Sequence, residues 1–214
     1  MEKKEVSNKA IILLSGGIDS TVLAYYLKKR KYKLTALTFD YGQKHKREIQ
    51  YAMLTSALLD IPLFVLDIKE VFENFSSFLT NGTKETVIVP NRNMIFLSIA
   101  VGFAENKKIN KVFYAAHKTD SPVFPDCRPE FVKTLSKACQ LGTTQKVEII
   151  APFINLTKTD IIKIGRELKV PFENTYSCYV GNEKPCGKCL ACKERLRAFK
   201  ENNLKDPLEY ENSN

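Results

Sequence analysis

The stretch IILLSGGIDST, residues 11–21, organises the rest of the chain. An apolar run of strand character ends in Ser15, Gly16 and Gly17, and a helix is predicted from Thr21 onward. Glycine adopts backbone angles that are closed to other residues, so a ligand can approach the main chain at this turn. The unpaired N–H groups of a helix start also favour anions. The stretch therefore predicts a phosphate-binding loop, unless Ser-Gly-Gly is only a tight turn.

The details of this loop separate it from the common nucleotide motifs. It lacks the lysine that closes a GxxxxGK[ST] motif, and it is not GxGxxG. The spacing Ser-Gly-Gly-x-Asp-Ser resembles the pyrophosphate loop of the ATP pyrophosphatases, which split ATP into AMP and pyrophosphate while they adenylate a substrate. The resemblance implies that residues 15–20 hold a pyrophosphate that leaves.

Composition and charge narrow the class of protein. The 214 residues are 44% hydrophobic, which is ample for a globular core, and no apolar run reaches the length of a membrane span. The first residues, MEKKE, do not resemble a signal peptide, so we expect a cytoplasmic protein. The net charge of +9 indicates either polyanionic ligands such as ATP or RNA, or a lysine-rich surface. Nucleic acid is the less favoured partner because no basic stripe with interleaved aromatic residues is present.

Predicted strands alternate with predicted helices along the chain. The strands are expected at residues 9–14, 33–39, 63–68, 111–116 and 146–151. This alternation predicts an α/β fold with a doubly wound, mostly parallel sheet and helices on both faces. We expect a single domain over residues 1–201, with a cysteine knuckle at 178–192, and a polar, frayed tail at 202–214.

Three polar clusters each follow a predicted strand, at residues 15–20, 40–43 and 117–127. Ligands of open parallel sheets bind beyond the carboxyl ends of the strands, so these clusters should converge on one crevice. Two helix starts are also predicted locally. Asp126 is expected to cap the helix that follows it, and Thr157 with Asp160 resembles a capping box.

Four of the six cysteines, Cys178, Cys186, Cys189 and Cys192, fall within one short segment. Four thiolates make a saturated zinc site, which is structural because it has no open position for a substrate. The alternative is a redox-active CxxC pair, which a cluster of four cysteines disfavours. The segment predicts one structural Zn²⁺ per chain.

Three residues have more than one interpretation. His45 is a base, a phosphate contact, or an exposed histidine at a helix start. Lys158 lies at a predicted helix start, where the helix dipole disfavours a cation. Contact with a phosphate would explain a lysine at this position, and the alternative is an ordinary surface lysine. Cys127 is a nucleophile or a small packing residue, and packing is slightly favoured.

The loop PDCRPEF at residues 125–131 is the most unusual one in the chain. The carboxylates of Asp120 and Asp126 suit the N–H edge of a guanine-like base. The guanidinium fork of Arg128 suits a carboxylate or a phosphate.

Five segments in this order resemble the 7-cyano-7-deazaguanine synthases of queuosine biosynthesis. They are SGGIDS at 15–20, FDYGQKH at 39–45, PNRN at 90–93, PDCRPEF at 125–131 and the four cysteines at 178–192. The resemblance spans residues 9–199 and implies an adenine nucleotide alpha hydrolase-like fold and a zinc-containing homodimer. Two positions near the expected pocket depart from the family: Val123 replaces a glycine, and Asn91 stands where glycine or alanine is commoner.

The resemblance also implies a reaction and its partners. ATP adenylates 7-carboxy-7-deazaguanine, ammonia displaces AMP to give an amide, and a second activation dehydrates the amide to the nitrile. ATP is expected with Mg²⁺, for which Asp19 is a candidate ligand. Ammonia is expected from solution or from a partner, because no glutaminase segment is visible.

The implied site has three sets of residues. Catalytic roles are expected for Asp19, Lys158 and His45. ATP is expected at Leu14, Ser15, Gly16, Gly17, Ile18, Asp19, Ser20, Thr21, Phe39 and Lys158. The deazaguanine is expected at Gln43, Arg92, Asp120, Asp126 and Arg128.

Two other functions are weaker. A tRNA sulfur transferase of the same ATP-cleaving group would need a reactive cysteine pair outside the zinc site and an added RNA-binding domain. A zinc-knuckle nucleic-acid-binding protein would account for the charge, but for neither the Ser-Gly-Gly loop nor the loop at 125–131.

Overall fold

A computed structural model describes residues 8–44, 46–75, 77–80, 86–180 and 183–211. The strands in these ranges are β1 (Lys9–Leu13), β2 (Lys33–Asp40), β3 (Leu63–Asp67), β4 (Lys111–Phe113) and β5 (Glu148–Ile150). The helices are α1 (Ile18–Lys29), α2 (Arg47–Leu59), α3 (Lys69–Phe72), α4 (Arg92–Asn106), α5 (Pro129–Gly142), α6 (Lys158–Glu167) and α7 (Leu190–Glu201). Short 3-10 turns lie at Pro125–Cys127 and Phe172–Asn174.

The five strands form one parallel sheet in the order β3-β2-β1-β4-β5. The predicted α/β architecture is therefore confirmed. The chain leaves β1 towards β2 on one side and returns to β4 on the other, so the strand order reverses between β1 and β4. A crevice opens at such a switch point, beyond the carboxyl ends of the strands.

Alternate residues of the central strands belong to two separate hydrophobic cores, because successive side chains of a strand point to opposite faces of the sheet. On one face, Ile11 and Leu37 pack with Leu97 and Ala100 of α4. On the other, Ile12 packs against residues of α1, α6 and α7. Both faces of the inner strands are thus buried, which explains why β1 reads as a continuous apolar run.

Two local predictions had different outcomes. The capping box at Thr157 and Asp160 is confirmed, with reciprocal side-chain to backbone hydrogen bonds. The predicted cap at Asp126 is wrong: α5 begins after Arg128 and has no side-chain cap. Asp126 Oδ2 instead accepts the backbone N–H of Asn93 at 3.2 Å, in the first turn of α4.

The expectation of a frayed tail is also wrong for the residues that the structure describes. Asp206 is buried and makes a two-pronged ion pair with Arg195 of α7, with N–O distances of 2.6 and 2.9 Å. Tyr210 donates its hydroxyl to the same carboxylate at 2.6 Å. The tail is therefore packed on the body of the protein through residue 210.

None of the helices in the described part of the chain combines the length and hydrophobicity that a bilayer crossing requires.

Candidate functional site

The three strand-end clusters meet at one cavity, as the order of the strands requires. The cavity has a volume of about 230 Å³ and lies beyond β1, β2 and β4. Its walls include Ser15, Asp19 and Ser20 after β1, Gln43 after β2, and Asp120 after β4. The predicted convergence of these clusters is confirmed.

The Ser-Gly-Gly loop is closely packed and hydrogen-bonded. Gly16 has a φ of +81°, and a Cβ at this position would lie 2.2 Å from the backbone oxygen of Glu48. The backbone N–H of Ser15 donates to Ser20 Oγ at 3.2 Å. Gly17 N–H donates to Ser15 Oγ at 3.3 Å. Only glycine fits at residue 16, because the loop turns directly against the first turn of α2.

Helix α1 begins at Ile18, three residues earlier than predicted, and Gly17 is its N-cap without a capping side chain. The first N–H groups of α1 therefore face the loop, as an anion site requires. Ile18 and Thr21 are buried side chains, and Thr21 Oγ1 lies 3.5 Å from Thr55 Oγ1. Ile18 can therefore offer a ligand only its backbone, whereas the backbone N–H of Thr21 already donates to the Gly17 carbonyl at 3.1 Å.

Asp19 and Lys158 form a shielded ion pair at one end of the cavity. Lys158 Nζ donates to Asp19 Oδ2 at 2.8 Å, and the two side chains are 9% and 21% exposed. Lys158 is therefore not an ordinary surface lysine. Its ammonium does not line the cavity itself, but reaches it through Asp19.

The charges around this pair decide its protonation. Burial alone would raise the pKa of Asp19, but the Lys158 ammonium and the adjacent His117 ring outweigh burial and hold that pKa well below its ordinary value of 3.8. Burial would lower the pKa of Lys158, and Asp19 with Asp120 reverses this and raises it. The pair is thus ionised at neutral pH.

The residues expected to bind the second substrate have different surroundings. Arg92 lines the cavity and donates from Nη1 to the Tyr41 hydroxyl at 3.1 Å. Gln43 is buried, and its amide is already paired with Tyr41 N–H and the Phe39 carbonyl at 2.9 and 3.0 Å. Phe39 stacks on Phe96 with ring centroids 4.3 Å apart, and both rings line the cavity.

A second cavity of about 320 Å³ shares Arg92 and Phe124 with the first. Asp126 lines this second cavity, whereas Arg128 is exposed and lines neither. Asn91 lies on its wall with a φ of +56°, a left-handed conformation that asparagine tolerates better than most residues. Val123 lines neither cavity.

Two residues of the site were not singled out from the sequence. Glu48, in the first turn of α2, lines the first cavity, and burial raises its pKa to about 7 although Arg92 opposes the shift. A carboxyl group with such a pKa can accept or give a proton near neutral pH. His117 is completely buried beside Asp19. His117 belongs to a polar segment after a predicted strand, which is the signal that could have found it. Glu48 lies in α2 and carries no such signal. His45 lies outside the described residues.

Cys127 is a buried thiol at the cavity wall. Burial raises its pKa above the ordinary value of 9.0, with Asp120 and Asp126 adding to the effect. A thiol is a weak nucleophile when it is not ionised. The environment of Cys127 therefore favours packing over nucleophilic attack.

The four cysteines of the knuckle converge. The Sγ atoms of Cys178, Cys186, Cys189 and Cys192 lie within 4.8 Å of one another, and none of the four is in a disulfide. Backbone N–H groups donate to two of these sulfurs: Cys186 N–H to Cys178 Sγ at 3.3 Å, and Cys189 N–H to Cys186 Sγ at 3.3 Å. The cluster can hold one metal ion.

The knuckle is joined to the Ser-Gly-Gly loop. Tyr176 N–H, two residues before Cys178, donates to the Gly16 carbonyl at 3.0 Å. Tyr179, directly after Cys178, lines the cavity. The conformation of this segment therefore affects both the loop and the cavity.

Comparison with known proteins gives a consistent result. The family model described as "Queuosine biosynthesis protein QueC" matches residues 9–203. The chain is 42% identical to the 7-cyano-7-deazaguanine synthase of Caldicellulosiruptor saccharolyticus, covering 95% of this chain and 96% of the relative. It is 44% identical to that of Methanoregula boonei, covering 95% and 99%. Among solved structures, NMN synthetase from Francisella tularensis has a TM-score of 0.57 at 18% identity, covering 93% of this chain and 79% of that one, which shows a shared fold.

Proposed function

The chain belongs to the QueC family of queuosine biosynthesis proteins, and from this premise we propose that it converts 7-carboxy-7-deazaguanine, ammonia and ATP into 7-cyano-7-deazaguanine. The carboxylate is first adenylated, ammonia then forms the amide, and a second activation dehydrates the amide to the nitrile. One observation carries the proposal: the Ser-Gly-Gly loop and polar side chains from two further strand ends line a single cavity. Such a cavity can hold two ligands side by side.

The loop at residues 15–20 binds the pyrophosphate as it departs. Ser15 and Ser20 supply hydroxyl groups, and the start of α1 supplies N–H groups. These donors stabilise the negative charge that grows on the leaving group. The Lys158 ammonium is bound to Asp19, which lines the cavity, and within the described residues Asp19 is its one side-chain partner. It can therefore move from Asp19 to the pyrophosphate.

One oxygen atom of this site is available as a ligand for a magnesium ion that binds with ATP. Asp19 Oδ1 is buried and makes no hydrogen bond within the part of the chain that the structure describes. A carboxylate oxygen is a ligand that Mg²⁺ prefers, and Mg²⁺ usually takes one or two carboxylates together with phosphates and water. Bound there, the ion would neutralise phosphate charge.

The deazaguanine occupies the part of the cavity between Arg92 and Asp120. Arg92 offers a guanidinium to the substrate carboxylate, and Asp120 offers an acceptor to the N–H edge of the base. Asp126 faces the adjoining cavity, already holds one N–H of α4, and has a second oxygen for the base. Gln43 acts by holding the turn at residues 39–43, because its amide is already paired.

The metal of the knuckle is Zn²⁺, for which four thiolates are a complete set of ligands. We assign it a structural role, since four cysteine ligands leave no coordination position of the metal open for a substrate. It would hold residues 176–179 against Gly16 and the cavity wall. We further propose a single domain over residues 1–201, a cytoplasmic location and a homodimer, as the resemblance to the family implies.

The proposal is tested by incubating the purified protein with 7-carboxy-7-deazaguanine, ATP, Mg²⁺ and ammonium. The expected result is AMP, pyrophosphate, and masses of the amide and then the nitrile. Ser20→Ala should lower turnover at least about tenfold, as loss of a charge-stabilising donor does. Ser98→Ala is the matched control, because Ser98 is exposed on α4 and bonds only its own helix. The proposal fails if the unaltered protein releases no AMP and forms neither product.

A further inference from the structure

His117 is a completely buried histidine for which the proposed reaction provides no role. It comes shortly after β4, and its ring does not line the cavity. Within the described residues, neither of its ring nitrogens makes a hydrogen bond. Buried polar groups are normally paired, because leaving one unpaired costs free energy. Because acceptors lie within 3.5 Å of the ring, a small rotation can give it an aligned partner, and His117 is therefore a candidate for a residue that changes partner.

Two carboxylates approach the same nitrogen of this ring. His117 Nε2 lies 3.2 Å from Asp120 Oδ2 and 3.5 Å from Asp19 Oδ2, and neither approach is aligned as a hydrogen bond. A single N–H at Nε2 can serve only one of these acceptors well at a time. The two carboxylates therefore compete for one donor.

The two competitors belong to different halves of the site. Asp19 is part of the phosphate-binding loop and is paired with Lys158 at 2.8 Å. Asp120 lies on the β4 side of the cavity. The halves are also joined by Thr119, whose Oγ1 accepts the backbone N–H of Lys158 at 3.0 Å. His117 Nε2 lies within 3.5 Å of both carboxylates.

The hydrogen-bond donor available to Asp19 Oδ2 depends on the position of the Lys158 ammonium. A pyrophosphate carries more negative charge than a carboxylate and attracts the ammonium away from Asp19. Asp19 Oδ2 has then lost its main donor, and His117 Nε2 is 3.5 Å from this oxygen. Reorientation of the ring towards Asp19 takes its N–H away from Asp120.

We propose that His117 is a positioning residue that couples the two ligand subsites, by turning its Nε2–H from the side of Asp120, the nearer carboxylate at 3.2 Å, to Asp19 when ATP binds. Asp120 is thereby freed to accept a hydrogen bond from the second substrate. The inference rests on the proposed function and extends it to the order in which the site is assembled. Coupling is reciprocal, so each ligand raises the affinity for the other by the same factor.

The coupling is measured by calorimetry with α,β-methylene-ATP, which cannot release pyrophosphate. The Kd of 7-carboxy-7-deazaguanine is determined with and without this analogue. We expect the analogue to lower that Kd by a factor within about 5–150, the usual range for coupled sites. His117→Leu should bring the factor close to one. His117→Gln, which keeps a neutral donor, should restore most of it. Lys118→Ala is the control, because Lys118 is exposed and should leave the factor unchanged.

A second measurement, by ¹⁵N NMR, needs only the ATP analogue. The sequence has two histidines, so the ¹⁵N signals of the His117 ring are identified by their loss in the leucine variant. We expect the Nε2 signal to shift when the analogue saturates the protein.

The outcomes separate the two proposals. If the deazaguanine does not bind at all, the proposed function fails, and the ring signal still decides the role of His117. If both ligands bind but His117→Leu keeps the full coupling factor, or the ring signal stays fixed on saturation, the inference about His117 is overturned. Loss of coupling in both the leucine and the glutamine variants would also contradict it, because a donor alone would then not suffice.

Discussion

Lys158 and Asp19 are 139 residues apart in the chain, and their side chains meet at 2.8 Å in a largely shielded ion pair. Lys158 begins α6, where the helix dipole disfavours a cation, and Asp19 lies in the first turn of α1, where the dipole favours an anion. The pair joins the two helix starts that flank the proposed pyrophosphate position. In the proposed reaction, the pair keeps an ammonium group beside the loop until the more highly charged pyrophosphate attracts it.

Replacing Lys158 by methionine should destabilise the protein by about 3–5 kcal/mol, because Asp19 is left as a shielded, unpaired charge. Urea denaturation at neutral pH measures the effect. The double variant Lys158→Met with Asp19→Asn should recover much of the loss, since no lone charge remains. Equal stability of the Lys158→Met variant and the double variant would show that the unpaired Asp19 charge costs no stability.

The same ion pair makes the free energy of unfolding depend on pH. The pKa of Asp19 in the folded protein lies below its ordinary value of 3.8, so the unfolded chain binds the proton more readily. The stabilising contribution of Asp19 is therefore fully present above about pH 4 and is lost as the pH falls towards the lower, folded-state pKa. Asp19→Asn should flatten the decline of unfolding free energy between about pH 4 and pH 2. An unchanged slope in that interval would contradict the depressed pKa.

Gly16→Ala should abolish ATP binding and destabilise the fold. The φ of +81° is unfavourable for alanine, and the new Cβ would lie 2.2 Å from a backbone oxygen that cannot rotate away. Calorimetry with an ATP analogue and thermal denaturation check both effects. Gly102→Ala in α4 is the matched control: its Cβ meets nothing within 4 Å, so the helix should gain about 0.5–1 kcal/mol. A Gly16→Ala protein that binds the analogue normally would remove the tight turn from the site.

Removal of the knuckle metal should loosen the cavity as well as the knuckle. We expect about one zinc per chain by elemental analysis, and a lower melting temperature after chelation. Cys192→Ser should lose the metal, whereas Cys139→Ser, at a cysteine outside the cluster, should keep it. Because Tyr176 is bonded to Gly16, the metal-free protein should also bind the ATP analogue more weakly. Full affinity after complete removal of the metal would refute this link.

Asp206→Ala should cost about 3–5 kcal/mol, because it leaves the guanidinium of Arg195 buried without its carboxylate. Arg195 also donates to the carbonyls of Thr175 and Phe172, so the segment before the knuckle should become less stable too. Glu209→Ala is the control, since its ion pair with Lys184 is exposed and should be worth little. Similar melting temperatures for the two variants would mean that the tail contributes no specific stability.

Several features of the site were predictable because their cause is local. The strand, the glycine turn and the helix start of residues 11–21 follow from apolar periodicity and from the backbone freedom of glycine. The capping box of α6 lies within four residues. Convergence of the strand-end clusters followed from the rule that parallel strands end at the same edge of a sheet.

Other features depend on partners that are distant in the chain. Asp126 precedes a helix, yet its carboxylate serves the start of α4. Glu48 lines the cavity because α2 packs on the loop at Gly16. The polar composition of the tail indicated fraying, because the buried Arg195 that anchors Asp206 is not visible in local composition.

The sequence alone determined the α/β fold, the glycine turn between β1 and α1, the four clustered cysteines and the family to which the chain belongs. These depend on periodicity, glycine geometry and spacing, which act over a few residues. The tertiary structure alone decided that Lys158 neutralises Asp19, and that His117 is buried between two carboxylates. The state of a charged group depends on its burial and on the charges within a few ångströms, and folding brings those together from distant parts of the chain.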